Sequence, residues 1–218
     1  MKPLNKYIDH TNLKPFATKA DIEKLCAEAR EYNFASVCVN PCDVALAKSL
    51  LEGSDVMTCT VIGFPLGRNT TETKVAEAMC AYVQGCDEFD MVINVGMLKD
   101  GCDDYIREEI SSVIMAANGR TVKVIIETGL LTDEEKARAT RLSCEAGAHF
   151  VKTCTGFSAG GATVEDIKLM KANLSEGVKI KASGGIKTYE DALALIEAGA
   201  DRIGTSAGVA IIKDAPKN

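Results

Sequence analysis

The segment 146–158 reads AGAHFVKTCTGFS and runs from the end of a helix, through a short strand, into a loop of small residues. Gly147 occupies the position at which a glycine commonly ends a helix in the left-handed conformation. The apolar strand that follows contains Lys152. Lysine is a poor strand former and its ammonium is costly to bury. Lys152 therefore indicates an exposed strand face, a buried ion pair or an amine that reacts with a carbonyl substrate.

The same transition from helix to strand occurs twice more in the chain. Residues 84–87 read QGCD and residues 198–201 read AGAD, each with glycine at the second position. Five residues after the three glycines lie Asp90, Lys152 and Gly204. This internal repeat predicts that one structural unit delivers three chemically distinct residues to the same depth of a sheet.

Strand-like and helix-like segments alternate along the whole chain. Hydroxyl residues with an acid three positions later, at Thr18 and Thr132, indicate helix starts. The predicted strands lie at 7–10, 35–39, 56–62, 88–94, 122–127, around 152, at 178–182 and at 201–205. Eight such units predict a (β/α)8 TIM barrel in a single domain, residues 1–218. An open doubly wound sheet is the alternative, but with about six strands it would leave some of these segments unused.

Composition restricts the possible partners and the compartment. The 218 residues are 46% hydrophobic and carry a net charge of −6, so neither nucleic acid nor a membrane surface is an expected partner. No bilayer-spanning run or signal peptide is recognisable, which predicts a cytoplasmic protein. The nine cysteines lack a Cys-x-x-Cys pair and predict free thiols. The two histidines, His10 and His149, are far apart in sequence, so no metal site is expected.

Strand periodicity predicts which side chains point into the barrel. Lys181 lies on the less apolar face of the seventh strand, and Lys123 and Glu127 lie on that of the fifth. The outward faces of barrel strands pack on helices and should be apolar, so the charged faces should point inward. The expected inward cluster consists of Lys152, Lys181, Lys123, Asp90 and Glu127. It is either a structural ion network or a site in which a neighbouring cation favours a neutral, reactive amine.

Two loops near the end of the chain are rich in small residues. Residues 181–186 read KASGGI and residues 202–208 read RIGTSAG, and each runs from a strand into a helix. Bare backbone N–H groups at such positions bind phosphate, and barrels commonly place this site after strands seven and eight. The alternative is that these glycines only permit tight turns.

Five motifs together closely resemble the deoxyribose-phosphate aldolase family. They are IDHT at 8–11, VIGFPLG at 61–67, DEFDMVIN at 87–94, KTCTGF at 152–157 and KASGG at 181–185. The match runs in register from about residue 6 to about residue 212. It implies a class I aldolase of deoxyribose catabolism that reversibly cleaves 2-deoxy-D-ribose 5-phosphate to D-glyceraldehyde 3-phosphate and acetaldehyde. It also implies a homodimer that needs no metal or other cofactor.

The resemblance assigns roles to individual residues. Lys152 matches the Schiff-base lysine, and Lys181 with Asp90 matches the pair that handles protons. The matching substrate-binding positions are Asp9, Cys38, Lys123, Thr155, Gly156, Gly184, Gly185, Gly204 and Ser206. Phe157 departs from the pattern, because some relatives have a lysine near the phosphate there.

Two other functions stay open on the residues alone. A sugar-phosphate isomerase or epimerase would use the same carboxylates and lysines as acid and base, without a covalent intermediate. A non-catalytic binder of phosphorylated metabolites would tolerate the substitution Lys152→Ala. Fold alone does not separate these functions, but two lysines on adjacent strands favour the aldolase.

Overall fold

A computed structural model, which describes residues 2–158 and 160–216, shows eight parallel strands closed into one barrel in chain order. The strands β1 to β8 are Ile8–Asn12, Ser36–Val39, Met57–Ile62, Glu88–Val92, Thr121–Ile125, Phe150–Lys152, Lys179–Ser183 and Arg202–Thr205. The helices α1 to α9 are Lys19–Glu31, Val44–Leu50, Thr71–Val83, Val95–Lys99, Asp103–Ala116, Asp133–Glu145, Val164–Ala172, Tyr189–Ala198 and Gly208–Asp214. The (β/α)8 TIM barrel predicted from the sequence is confirmed.

Two helix starts show how local sequence produces this layout. Thr18 before α1 and Thr132 before α6 each accept a hydrogen bond from the backbone N–H three residues on. The acid at that third position, Asp21 or Glu135, accepts one from the N-cap backbone in return. This capping box satisfies N–H groups that have no partner within the helix, so both predicted helix starts are confirmed.

The carboxyl ends of the strands differ most from the prediction. β4 ends at Val92, and Asn94, predicted to be part of the strand, is instead the N-cap of α4. β5 likewise ends at Ile125, two residues before the predicted end. Helix α4 was not predicted, because its five residues are too few to show a helical period.

The main core lies between the strands and the surrounding helices. Outward side chains such as Phe89, Met91, Val122 and Val124 are completely buried there. Each such side chain contributes roughly 1.5–3 kcal/mol through burial. Among the described residues, no helix has the length and apolarity that crossing a bilayer requires.

Candidate active site

Strand register determines which charged side chains meet inside the barrel. Lys152 on β6 is paired with Lys181 on β7, which is paired with Arg202 on β8. Asp90 on β4 is paired with Lys123 on β5. Residues paired side by side on neighbouring strands point to the same face of the sheet. All five side chains therefore point into the barrel.

Asp90 is the centre of this group. Its Oδ2 accepts hydrogen bonds from the Nζ atoms of Lys152 and Lys181, each at 2.7 Å, and its Oδ1 accepts one from Lys123 at 2.9 Å. Burial opposes ionisation of the carboxyl, but these three ammonium groups hold the pKa of Asp90 well below its usual range. One ionised oxygen thus links Lys152 to Lys181, and a proton can pass between the two amines through it.

Asp9 and Lys181 form a second contact in the group. Lys181 Nζ lies 2.5 Å from Asp9 Oδ2, and the guanidinium of Arg202 lies 2.5 Å from Asp9 Oδ1. Burial acts to raise the pKa of Asp9, but Arg202 and Lys181 outweigh it and hold this pKa below its usual value. Burial acts to lower the pKa of Lys181, but Asp9 and Asp90 raise it above its usual value. Lys181 is therefore held as an ammonium between two carboxylates.

Two members of this group, Glu88 and Arg202, were not predicted from the sequence. Glu88 accepts hydrogen bonds from Lys123 at 2.7 Å and from Arg202 at 2.8 Å. Glu88 lies two residues before Asp90 on β4 and therefore on the same face of the strand, but its contact with Arg202 needs β4 and β8 to face each other across a closed barrel. We call the whole set the inner network: Asp9, Glu88, Asp90, Lys123, Lys152, Lys181 and Arg202.

The prediction that Glu127 joins this cluster is wrong. Glu127 lies beyond the end of β5 in a left-handed conformation with φ 56°. Its carboxylate accepts hydrogen bonds from the backbone N–H of Thr155, at 3.2 and 3.3 Å, instead of contacting a lysine of the inner network. Two-residue periodicity holds only while the strand continues, and here the strand has already ended.

A cavity of about 430 Å³ opens at the carboxyl ends of the strands. Of the inner network, Lys152 lines this cavity. The predicted substrate-binding residues that also line it are Thr155, Gly156, Gly184, Gly185, Gly204 and Ser206. Of the other three, Asp9 and Lys123 are completely buried in the inner network. Cys38 is completely buried in a small apolar cluster inside the barrel, which indicates a packing environment.

Glycine is required where two of the cavity loops approach each other. Gly184 has φ 93°, and a Cβ at this position would lie 3.2 Å from Gly161 Cα and 3.3 Å from Cys154 Cβ. Any other residue would be strained and would push the loops after β6 and β7 apart. The two loops therefore contact each other through backbone atoms, and backbone N–H groups in such loops can bind an anionic ligand.

Charge at the cavity differs from the charge of the whole chain. Its lining contains four lysines, Lys14, Lys24, Lys152 and Lys187, but only two acids, Asp21 and Glu28, among the described residues. Lysine thus outnumbers acid in the cavity lining, although the net charge of the whole chain is −6. A small anion is favoured there over a cation.

One group of side chains has the spacing of metal ligands. Possible ligand atoms of Cys38, Cys59 and Asp90 lie within 4.8 Å of one another, and all three residues are buried. Both oxygens of Asp90 already accept hydrogen bonds from ammonium groups. A divalent cation would have to displace or face these positive charges, so we assign no metal to this group.

A (β/α)8 barrel with a cavity at the carboxyl ends of its strands and buried charged side chains next to it has the layout of an enzyme active site. The family model described as DeoC/LacD family aldolase matches residues 4–214. The chain belongs to this family, which makes it an aldehyde-lyase and confirms the family resemblance.

Individual relatives are similar in sequence to this chain over nearly its whole length. A deoxyribose-phosphate aldolase of Caldanaerobacter subterraneus subsp. tengcongensis is 59% identical over 212 residues, covering 96% of this chain and 92% of that protein. One from Bacillus cytotoxicus is 61% identical over 208 residues, covering 95% of this chain and 93% of that protein. The solved tetrameric deoxyribose phosphate aldolase of Aeropyrum pernix is 34% identical with a TM-score of 0.90, covering 96% of this chain and 89% of that one.

Proposed function

We propose that this protein reversibly cleaves 2-deoxy-D-ribose 5-phosphate to D-glyceraldehyde 3-phosphate and acetaldehyde, as a step in deoxyribose catabolism. The observation that carries the proposal is the shared oxygen of Asp90, which lies 2.7 Å from both Lys152 and Lys181 while Lys152 lines the cavity. The names of relatives about 60% identical to the chain support the same substrate.

Lys152 forms the covalent bond to the substrate. Asp90 can take a proton from its ammonium, and the neutral amine attacks C1 of the open-chain sugar to give a carbinolamine. Loss of water gives an iminium. The C2–C3 bond then breaks as the C3 hydroxyl loses its proton, and the electron pair moves into the iminium to form an enamine. D-Glyceraldehyde 3-phosphate leaves, and protonation at C2 followed by hydrolysis releases acetaldehyde and the free lysine.

Lys181 and Asp90 handle the protons of these steps. Lys181 is held charged by two carboxylates, so it is not a competing nucleophile. Asp90 relays protons between Lys181 and Lys152, either directly or through a water. The two lysines have different roles because Lys181 has Asp9 as a second carboxylate partner.

The phosphate lies at the loops after β6, β7 and β8. Gly156, Gly184, Gly185, Gly204 and Ser206 line this end of the cavity, where other barrels bind phosphate through backbone N–H groups. The excess of lysine over acid in the lining adds a favourable potential for a dianion.

The purified protein is tested with 2-deoxy-D-ribose 5-phosphate in two coupled assays, one for each aldehyde product. We expect equal amounts of D-glyceraldehyde 3-phosphate and acetaldehyde. Conversion to an isomeric sugar phosphate without acetaldehyde would favour the isomerase instead. Binding without any turnover would favour the metabolite binder.

We also propose a homodimer in a reducing, cytoplasmic compartment. All nine cysteines are free thiols, and the relative from Aeropyrum pernix is a tetramer, which supports self-association in the family. Light scattering on the purified protein gives the mass of the particle, which for a dimer is twice 23.2 kDa.

A further inference from the structure

Glu127 is a buried acid for which the proposed reaction has no role. Its side chain is almost completely buried, and its hydrogen-bond partner among the described residues is the backbone N–H of Thr155. The backbone of Glu127 is left-handed, a conformation that disfavours residues with a Cβ. Strained residues of this kind concentrate at functional sites.

A bulge in the barrel produces this conformation. Ile126 N–H donates to Lys152 O, and Thr128 N–H donates to Thr153 O, both at 3.0 Å. In a regular parallel pair, N–H groups two residues apart reach carbonyls that are also two residues apart. Here the carbonyls are adjacent, so the chain after β5 contains one extra residue, Glu127. Bulges beside active sites redirect a side chain, and this one directs Glu127 to the loop after β6.

The loop that Glu127 holds is the one that follows Lys152. Thr155 N–H donates to the carboxylate of Glu127, and Thr155 Oγ1 accepts from Phe157 N–H at 3.1 Å. Thr155, Gly156 and Phe157 line the cavity, whereas Glu127, also a described residue, does not. Glu127 therefore fixes the shape of a cavity wall without reaching the cavity itself.

We propose that Glu127 is a positioning residue for phosphate recognition: its carboxylate holds the Thr155–Phe157 loop in the form that binds the substrate phosphate. This proposal rests on the proposed function, because it assumes a phosphorylated substrate. A carboxylate is a stronger acceptor for an N–H group than a neutral oxygen and restrains the loop accordingly.

Three substitutions separate the acceptor from the backbone strain. Glu127→Gln keeps a side-chain oxygen that can accept the bond. Glu127→Ala removes the acceptor and keeps the strain, whereas Glu127→Gly removes both. Glu134→Ala, at an exposed acid in the first turn of α6, is the matched control. Thermal melts establish that each variant is folded before kinetics are compared.

For 2-deoxy-D-ribose 5-phosphate we expect KM to rise about tenfold in both Glu127→Ala and Glu127→Gly, the change expected when a hydrogen bond to a charged group is lost. Glu127→Gln should stay within about threefold of the unsubstituted protein because the bond can still form. For unphosphorylated 2-deoxy-D-ribose, kcat/KM should change less than about twofold, because that substrate lacks the group the loop binds.

Two results would overturn the proposal. Equal decreases in kcat/KM for both substrates in Glu127→Ala would show that Glu127 supports the Lys152 strand and not phosphate recognition. A normal KM in Glu127→Gly beside a raised KM in Glu127→Ala would show that only the backbone conformation matters.

Calorimetric titration with inorganic phosphate keeps this test independent of the reaction. We expect Glu127→Ala to weaken phosphate binding about tenfold, even if the protein proves not to be an aldolase. Unchanged phosphate binding in this variant would contradict the role of Glu127, whereas absent cleavage by the unsubstituted protein would contradict only the proposed function.

Discussion

Two clusters of buried charged residues in the described part of the chain contain groups whose pKa values shift in opposite directions. In the inner network, the pKa of Asp90 lies well below its usual range and that of Lys181 lies above its usual value. Between α3 and α5, Lys74 and Glu109 form a completely buried ion pair at 2.6 Å. There, burial lowers the pKa of Lys74 and raises the pKa of Glu109 despite the attraction between them.

The number of opposite charges explains the difference. Asp90 has three ammonium partners, and together they outweigh the loss of hydration. Glu109 has one ion-pair partner among the described residues, and a single opposite charge does not offset the desolvation of both groups. Lys74 also donates to the carbonyls of Gly67 and Val92, so this pair ties the loop after β3 to the end of β4.

The largest expected effect comes from removing the amine of the inner network that lines the cavity. Lys152→Ala should lower kcat by at least about 10⁴-fold, because the covalent path is lost and no other group replaces it. Cleavage of 2-deoxy-D-ribose 5-phosphate measures this change. Lys179→Ala, an exposed lysine on the neighbouring strand β7, is the control and should keep full activity. Residual activity well above about 0.01% in Lys152→Ala would contradict the assignment.

The next prediction compares two variants, in each of which one acid of a buried group is replaced by its isosteric amide. Asp90→Asn should lower the free energy of unfolding by about 3–5 kcal/mol, since it leaves ammonium groups buried without their shared partner. Glu109→Gln should cost only about 1–2 kcal/mol, because Lys74 can release its proton more easily than an exposed lysine. Urea unfolding at pH 7 measures both values. The reverse order would show that partner number does not control these groups.

Acid should affect the two groups differently. The folded-state pKa values of Asp9 and Asp90 lie below the ordinary value of 3.8, so the unfolded chain takes up protons first. Stability from these two residues is therefore fully present above about pH 4 and falls as the pH drops towards 2. Urea midpoints measured between pH 5 and pH 2 follow this loss, and Asp9→Asn should make the profile flatter.

The contribution of Glu109 to stability changes with pH in the opposite direction. Its folded-state pKa lies above the ordinary value of 4.5, so the folded protein takes up this proton first and its contribution improves as the pH falls towards 4.5. In Glu109→Gln this improvement should disappear between pH 7 and pH 4.5. An unchanged pH profile of urea midpoints would contradict the shift.

The smallest expected effect concerns the rim of the cavity. Phe157 is half exposed and packs edge-to-face on Phe64 at 5.2 Å between ring centroids. Phe157→Lys should lower KM for the phosphorylated substrate about threefold, the modest gain of an exposed charge pair. The gain should vanish in about 1 M salt because the charges are screened. A salt-independent change would point to altered packing with Phe64.

The sequence predicted those features that follow from periodicity within regular strands. Asp90, Lys123, Lys152 and Lys181 were placed inward because outward faces of barrel strands are apolar, and the structure brings all four together. Glu127 was misplaced because β5 ends at Ile125 and the chain after it contains one extra residue, a feature with no reliable sequence signal when that residue is not glycine. Arg202 was missed as a partner of Glu88 because that contact forms only when the barrel closes.

The most direct test of the account is chemical trapping of the Schiff base. The protein is incubated with acetaldehyde and borohydride, and its peptides are mapped by mass spectrometry. We expect one ethyl adduct on Lys152, absent from Lys152→Ala, while Lys181, held as an ammonium by Asp9 and Asp90, stays unmodified. An adduct on Lys181, or no adduct in a folded protein that still binds the sugar phosphate, would contradict the assignment of the two lysines.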